Sequence, residues 1–132
     1  MGVHSATDTE YEWSWYNSLS GAYFLNHPAI QTATINVVDS THAATAVLPP
    51  KWTRRDEWYS FKNIQPHINV LAYLDESSYK GGANGTKHPV IWYHYFEGGR
   101  AFYTALGHTP ESYSEPLFLQ HLLGGLKFAA GL

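Results

Sequence analysis

Two apolar runs near the end of the chain form its clearest pattern. Residues 90–96 and 101–106 are almost entirely apolar or aromatic, and they flank the segment Glu97-Gly98-Gly99-Arg100. Glycine supplies the positive φ angles of a tight primed turn, so the pattern predicts a β-hairpin. Because both faces of both runs are apolar, we expect these strands to be covered on two sides.

Three earlier segments are predicted as strands. Residues 30–39 alternate and are rich in β-branched side chains, and residues 53–61 and 68–75 follow similar patterns. The segments 42–52 and 76–89 contain prolines or glycines and are predicted as loops.

Helical spacing predicts one helix near the start of the chain. It covers residues 12–24, with Trp15, Leu19, Ala22 and Tyr23 at helical intervals. We expect it to end before Pro28, because proline pushes the preceding residue out of the α region.

A second helix is predicted over residues 116–130. Thr109-Pro110 has the form of a helix start, and Ser112 with Glu115 could form a capping box. The face expected to pack on the sheet consists of Leu119, Leu122, Leu123, Leu126 and Ala130. Gly124-Gly125 costs about 1 kcal/mol per glycine relative to alanine, so we expect another backbone to approach there.

The order of elements predicts one α/β domain. The 132 residues are 44% hydrophobic, which is enough for one core, and no linker composition divides them. The net charge of −3 and the lack of a basic cluster beyond Arg54-Arg55 argue against nucleic acid and anionic membranes as partners. We expect a neutral small molecule or another protein instead. The start of the chain lacks the features of a signal peptide, so a cytoplasmic location is expected for the chain as written, although a longer parent protein could be secreted.

Histidine and carboxylate side chains are the candidates for chemistry. There is no cysteine, which excludes a thiolate metal site and a cysteine nucleophile. Eight histidines are present, several at predicted element ends or in loops. His4 precedes a predicted helix, where α/β sheets gather catalytic groups, and His108 follows a strand and Gly107. Imidazole transfers protons near neutral pH.

Asp56-Glu57 places a carboxylate on each face of a predicted strand. One of them should point inward and needs a partner. That partner could be Arg54 or Arg55, or it could be a histidine or a divalent metal such as zinc. No His-Glu-x-x-His spacing is present, so the pattern does not identify metal ligands.

The segments "GVHSATDTEYEWSWYNSLSGAYFLNHP", "RRDEWYSFKN", "VLAYLDESSYKGG" and "HPVIWYHYFEGGRAFYTALGHTPESYSEPLFLQHLLGGLKFAAG" together resemble the trehalose-utilisation ThuA-like family. The resemblance implies a flavodoxin-like, class I glutamine amidotransferase-like fold, with a mostly parallel sheet, helices on both sides and the C-terminal β-hairpin. It also implies that residues 1–132 form one ThuA-like domain that lacks the N-terminal strands. A homodimer or a missing N-terminal half would then cover the exposed sheet edge.

The resemblance implies sugar catabolism, with trehalose-type disaccharides or their keto forms as substrates. His4 stands where related amidotransferases carry cysteine, so amidotransferase activity is not expected. The implied catalytic residues are His4 and His108 as acid and base, with Glu57 orienting one of them or sharing a metal. The residues implied in substrate binding are His27, Trp58, His88 and Trp92, and for Trp58 and Trp92 a packing role is equally open. A carbohydrate-active hydrolase or isomerase, a non-catalytic sugar-binding module and an inactive half-domain all remain open.

Overall fold

A computed structural model describes all 132 residues. The strands are β1 (Gly2–Val3), β2 (Tyr23–Asn26), β3 (Gln31–Val37), β4 (Lys51–Asp56), β5 (Ser60–Lys62), β6 (Asn69–Asp75), β7 (His88–Phe96) and β8 (Gly99–Thr104). The helices are α1 (Ser14–Ser20) and α2 (Pro116–Ala130). Short 3₁₀ turns cover His4–Thr7, Glu76–Ser78, Gly85–Lys87 and Pro110–Ser114. Neither helix is long and apolar enough to cross a membrane.

Six strands form one curled mixed sheet in the order β1-β8-β7-β6-β3-β4, and β2 pairs with β5 in a separate two-stranded sheet. The α/β class is therefore confirmed. Within these residues β1 and β8 form the one parallel pair, and the other pairs are antiparallel. The resemblance implied a mostly parallel sheet, but the sheet described here is mostly antiparallel.

The C-terminal hairpin is present as β7 and β8. Phe96 pairs with Gly99, so the two turn residues are Glu97 and Gly98, with φ angles of 48° and 80°. The turn is primed, as predicted, but Glu97 and not a second glycine adopts the other positive φ.

The first helix is shorter than predicted. It ends at Ser20 because Gly21 adopts the left-handed conformation, with φ at 91°, and its N–H donates to the Asn17 carbonyl. Left-handed glycine is a common helix terminator. A Cβ on Gly21 would lie 2.5 Å from the Trp92 indole nitrogen, so the close contact also requires glycine. The chain then continues as β2, where the sequence pattern predicted helix.

The predicted strand over residues 53–61 is two strands. Strand β4 ends at Asp56 and β5 begins at Ser60, and the two belong to different sheets. The Asp56 carboxylate accepts the N–H of Glu57 at 3.0 Å, which holds the bend after β4. This change of sheet brings Glu57 towards the carboxyl end of β8.

Helix α2 has its predicted bounds but buries a different face. Its buried residues are Phe118, His121, Gly124 and Gly125. Leu119, Leu123 and Leu126 are about half exposed, at 45%, 50% and 55%. A Cβ on Gly124 would overlap the backbone of Ala43, so the predicted close approach at this glycine is confirmed. Gly124 and Gly125 determine the buried face of α2, because a helix can approach Ala43 and Phe102 more closely with glycine than with leucine at these positions.

Candidate functional site: a histidine and carboxylate cluster

His4 lies directly after β1, in a strained turn. Its φ angle is 44°, which is uncommon for a residue with a side chain. The pairing of Val3 with Thr104 places it beside the end of β8, and Nδ1 of its ring donates to the Ala105 carbonyl at 2.8 Å. The residue is buried, with 6% of its surface exposed. Strain of this kind is frequent at functional sites.

Glu57 is the centre of the cluster. Its side chain is mostly buried, and its Oε2 lies 3.2 Å from His4 Nε2 and 3.2 Å from His108 Nδ1. Its Oε1 lies 3.3 Å from Nδ1 of His27, which follows β2. One carboxylate therefore contacts three imidazole rings that are far apart in the sequence.

Asp56 holds the backbone of the loop that carries His108. This fully buried carboxylate accepts the N–H groups of Gly107 at 2.8 Å and His108 at 3.0 Å, and it pairs with Arg54. Sequence analysis left open whether the inward carboxylate meets an arginine or a histidine. Both occur, because Asp56 takes the arginine and Glu57 takes the histidines.

Tyr59 packs between two of the histidines. Its ring centroid lies 4.1 Å from that of His4 and 5.9 Å from that of His27. Burial, with a further contribution from the Glu57 charge, raises the pKa of Tyr59 to about 12, so its hydroxyl stays protonated at neutral pH. Tyr59 was not among the residues predicted from the sequence. Its position two residues after Glu57 is the one sequence feature that places it near the predicted site.

The structure places three of the four expected substrate contacts in the core. Trp58, His88 and Trp92 have no exposed surface. Each indole N–H donates to a backbone carbonyl, from Trp58 to Gln31 at 2.7 Å and from Trp92 to Ser20 at 2.9 Å. These side chains pack and satisfy buried polar groups, which for Trp58 and Trp92 is the packing alternative, and none of the three presents surface to a substrate in this structure.

His88 braces the backbone next to the cluster. Its Nδ1 lies 2.7 Å from the Glu76 carboxylate and its Nε2 lies 2.7 Å from the Tyr59 carbonyl. Both partners are acceptors, so each nitrogen donates. His88 therefore links the segment that carries Glu57 and Tyr59 to Glu76.

His27 and His108 form the accessible side of the cluster. The side chain of each is 41% exposed, whereas those of His4 and Glu57 are only 8% and 9% exposed. Both accessible rings contact the protein's polar groups through Nδ1, and Nε2 of each ring makes no hydrogen bond within the protein. The arrangement can exchange protons with a bound molecule at two imidazole nitrogens.

The sequence matches the ThuA family, described as trehalose utilisation, over residues 1–129. The chain belongs to the ThuA family. A search of curated proteins found no match.

Solved structures agree with the ThuA assignment at the level of the fold. A ThuA-like protein from Bacteroides uniformis ATCC 8492 superposes with a TM-score of 0.79 at 20% identity, over 97% of this chain and 56% of that one. A ThuA-like protein from Parabacteroides merdae ATCC 43184 gives a TM-score of 0.76 at 19% identity, over 98% and 59%. This ThuA-family chain thus spans somewhat more than half the length of these relatives.

A more distant similarity is to a β-galactosidase from Bacillus circulans sp. alkalophilus. The TM-score is 0.59 at 18% identity, over 96% of this chain and 16% of that one. At this identity the similarity concerns the fold alone.

Proposed function

We propose that this ThuA-family chain carries the site of a sugar-catabolic enzyme that acts on trehalose-type disaccharides or their keto forms by acid-base chemistry. The family description, trehalose utilisation, supports the substrate class. The observation that carries the chemistry is the Glu57 carboxylate, which lies within 3.3 Å of three imidazole rings.

His27 and His108 are the proton-exchanging groups in this proposal. Both are half exposed, with Nδ1 within 3.3 Å of a Glu57 oxygen, and these Nδ1 atoms are hydrogen-bonded to the Pro28 carbonyl in His27 and to Nε2 of His4 in His108. These bonds hold Nδ1 of each ring and leave Nε2 for the substrate. His4 is an anchor here and not the acid or base expected earlier, because it is buried and both of its nitrogens are engaged.

Two oriented imidazoles suit a keto-sugar. A ketone acidifies the C–H bonds beside it, so a base can remove one of these protons while an acid protonates the sugar oxygen that leaves. Positioned acids and bases of this kind each contribute about 10²- to 10⁴-fold to a rate. The Tyr59 ring stacks on His27, and burial raises the pKa of its hydroxyl to about 12, which keeps it protonated at neutral pH.

The test is turnover of trehalose and of keto-trehalose, followed by NMR of the products. We expect His27→Ala and His108→Ala each to lower kcat by about 10²-fold or more. His67→Ala is the matched control, because His67 is exposed and lies outside the cluster, against Ser18 and His94. Unchanged turnover in both cluster variants would refute the assignment, and disaccharide binding without any turnover would favour a sugar-binding module.

A further inference from the structure

Three ligand atoms in the cluster form a nearly equilateral triangle. Nε2 of His4, Oε2 of Glu57 and Nδ1 of His108 are each 3.2 Å from the other two. Two imidazoles and one carboxylate are a common ligand set for zinc and related divalent metals.

The size of the triangle matches one face of a metal coordination shell. Zinc binds nitrogen and oxygen ligands at about 2.0 to 2.2 Å, which in a tetrahedron separates the ligand atoms by about 3.3 to 3.6 Å. The triangle is close to this size without any movement of the backbone.

Hydrogen bonding also leaves the triangle in need of a positive charge. His4 donates through Nδ1 to the Ala105 carbonyl at 2.8 Å, and its Nε2 lies 3.2 Å from a Glu57 oxygen that can only accept, so a proton or a metal ion must lie between these two atoms. A histidine that binds metal through one nitrogen usually donates the other N–H to a carbonyl or carboxylate, and this is the arrangement of His4. A metal ion at the centre of the triangle would take the place of the proton that Nε2 of His4 shares with Glu57.

We infer that His4, Glu57 and His108 bind one divalent cation of the zinc class. His4 and Glu57 form the buried side of the site, and the half-exposed His108 leaves the opposite side open to solvent and to a ligand. A cation there would polarise a keto or hydroxyl oxygen as a Lewis acid. His27 lies on the other oxygen of Glu57, outside the triangle, and remains free to exchange a proton. Cation binding follows from the geometry alone, whereas its use in catalysis rests on the proposed function.

The experiment uses tag-free protein that has been treated with EDTA and dialysed. Isothermal titration with zinc chloride measures affinity and stoichiometry, and titration with cobalt chloride reports the coordination through its visible absorption bands. We expect one equivalent of each metal to bind. His108→Ala and Glu57→Gln should weaken zinc binding by at least about 100-fold, which is more than the loss of an outer partner usually costs.

Two further variants separate this site from weak binding at surface histidines. His67→Ala removes an exposed histidine outside the cluster and should leave the affinity unchanged. His27→Ala removes an outer partner of Glu57 and should weaken binding by about 10-fold and by less than either ligand variant does. Circular dichroism and thermal unfolding of each variant confirm that it is folded. His108 is half exposed, so its variant remains informative if His4→Ala fails to fold.

Two results would overturn the inference. The first is that zinc binds no more tightly to the parent protein than to His108→Ala. The second is that Glu57→Gln leaves the cobalt absorption spectrum unchanged. Failure of the proposed function gives a different pattern, with stoichiometric zinc and no turnover of either sugar. Conversely, full turnover in EDTA by protein that binds no metal would leave the acid-base proposal standing and remove the cation.

Discussion

Neighbouring carboxylates on this chain have separate tasks. Asp56 is fully buried and bonded to Arg54 and to the backbone of the His108 loop, whereas Glu57 faces the imidazoles. Arg54 is shared further with Glu115 at 2.9 Å and Ser112 at 2.8 Å. Asp56 therefore acts on the site by positioning His108, without contacting a substrate itself.

Asp56→Asn tests how much this buried ion pair stabilises the loop that carries His108. Removal of one partner from a buried ion pair costs about 3 to 5 kcal/mol, so we expect a loss in this range in the free energy of unfolding measured with urea. Glu12→Gln is the matched control, since Glu12 is exposed, and should change the free energy by less than about 0.5 kcal/mol. Equal effects of the two variants would contradict the role of Asp56.

His121 makes stability depend on pH. It is fully buried, and its Nδ1 donates to the Ala44 carbonyl at 2.8 Å. Burial lowers its pKa from 6.5 to about 4. The unfolded chain therefore takes up a proton at a higher pH than the folded chain, so stability is lost as the pH falls from about 6.5 to about 4.

The loss over this window should be roughly 3 kcal/mol from His121, at about 1.4 kcal/mol per unit of pKa. Burial also lowers the pKa of His42 and His94, which act in the same direction. Urea unfolding at pH 7 and pH 4.5 measures the loss, and His121→Gln should flatten the slope. An unchanged slope in that variant would assign the pH dependence to other groups.

At the scale of elements, α2 is held by glycine contacts. Gly124 lies against the backbone of Ala43 and Ala44, and Gly125 lies against the Phe102 ring. The neighbouring loop is also tied to α2 through the bond from His121 to Ala44. The helix is thus positioned by its glycines, the buried His121 and Phe118, and Leu119, Leu123 and Leu126 lie largely outside the contact.

Gly124→Ala should therefore destabilise the protein although alanine is the better helix former. The added Cβ meets a backbone carbonyl that cannot rotate away, and overpacking costs about 1 to 3 kcal/mol or more, against about 1 kcal/mol gained in helix propensity. Urea unfolding measures the net change. Gln120→Ala, at an exposed position of the same helix, is the control. A more stable Gly124→Ala variant would show that the helix can shift outward at little cost.

Two truncations in α2 test which face is buried. Phe118 has no exposed surface, so Phe118→Ala should cost about 3 to 5 kcal/mol. Leu123 is 50% exposed, so Leu123→Ala should cost clearly less, about 1 kcal/mol or under. Thermal unfolding compares the two directly. Similar losses would mean that the leucine face is covered in solution.

At the scale of the whole molecule, the site joins segments that are distant in sequence. His4 follows β1, His27 follows β2, Glu57 lies between β4 and β5, and His108 follows β8. The cluster therefore exists only when both sheets are in place. Any ligand that bridges these side chains binds the folded state in preference to the unfolded one.

Zinc should accordingly stabilise the whole fold. A ligand at 100 times its Kd adds about 2.7 kcal/mol to the free energy of unfolding if it binds only the folded state. We expect Tm to rise with zinc concentration in the parent protein and to stay constant in His108→Ala. Magnesium chloride is the control for ionic strength, because magnesium prefers oxygen ligands. An equal rise with both salts would point to a general salt effect.

Much of the local structure is determined by the sequence itself. The hairpin strands and the bounds of α2 follow from short-range apolar patterns and turn residues, although the buried face of α2 does not. The chemistry of the cluster was also visible, since an absence of cysteine and an abundance of histidine leave imidazole and carboxylate as the reactive groups. Family resemblance pointed to His4, Glu57 and His108 before their contacts were seen.

Tertiary structure alone decided which of these residues meet. His4 and His108 are 104 positions apart, and no local pattern encodes their 3.2 Å contact. The same holds for Trp58 and Trp92, whose aromatic side chains suit either a sugar or a core, and whose burial places them in the core. The hydrophobic periodicity of the sequence predicts only which side chains tend to be buried. Which ones converge depends on the pairing of β1 with β8 and on the change of sheet after Asp56, both long-range events that the whole core must stabilise together.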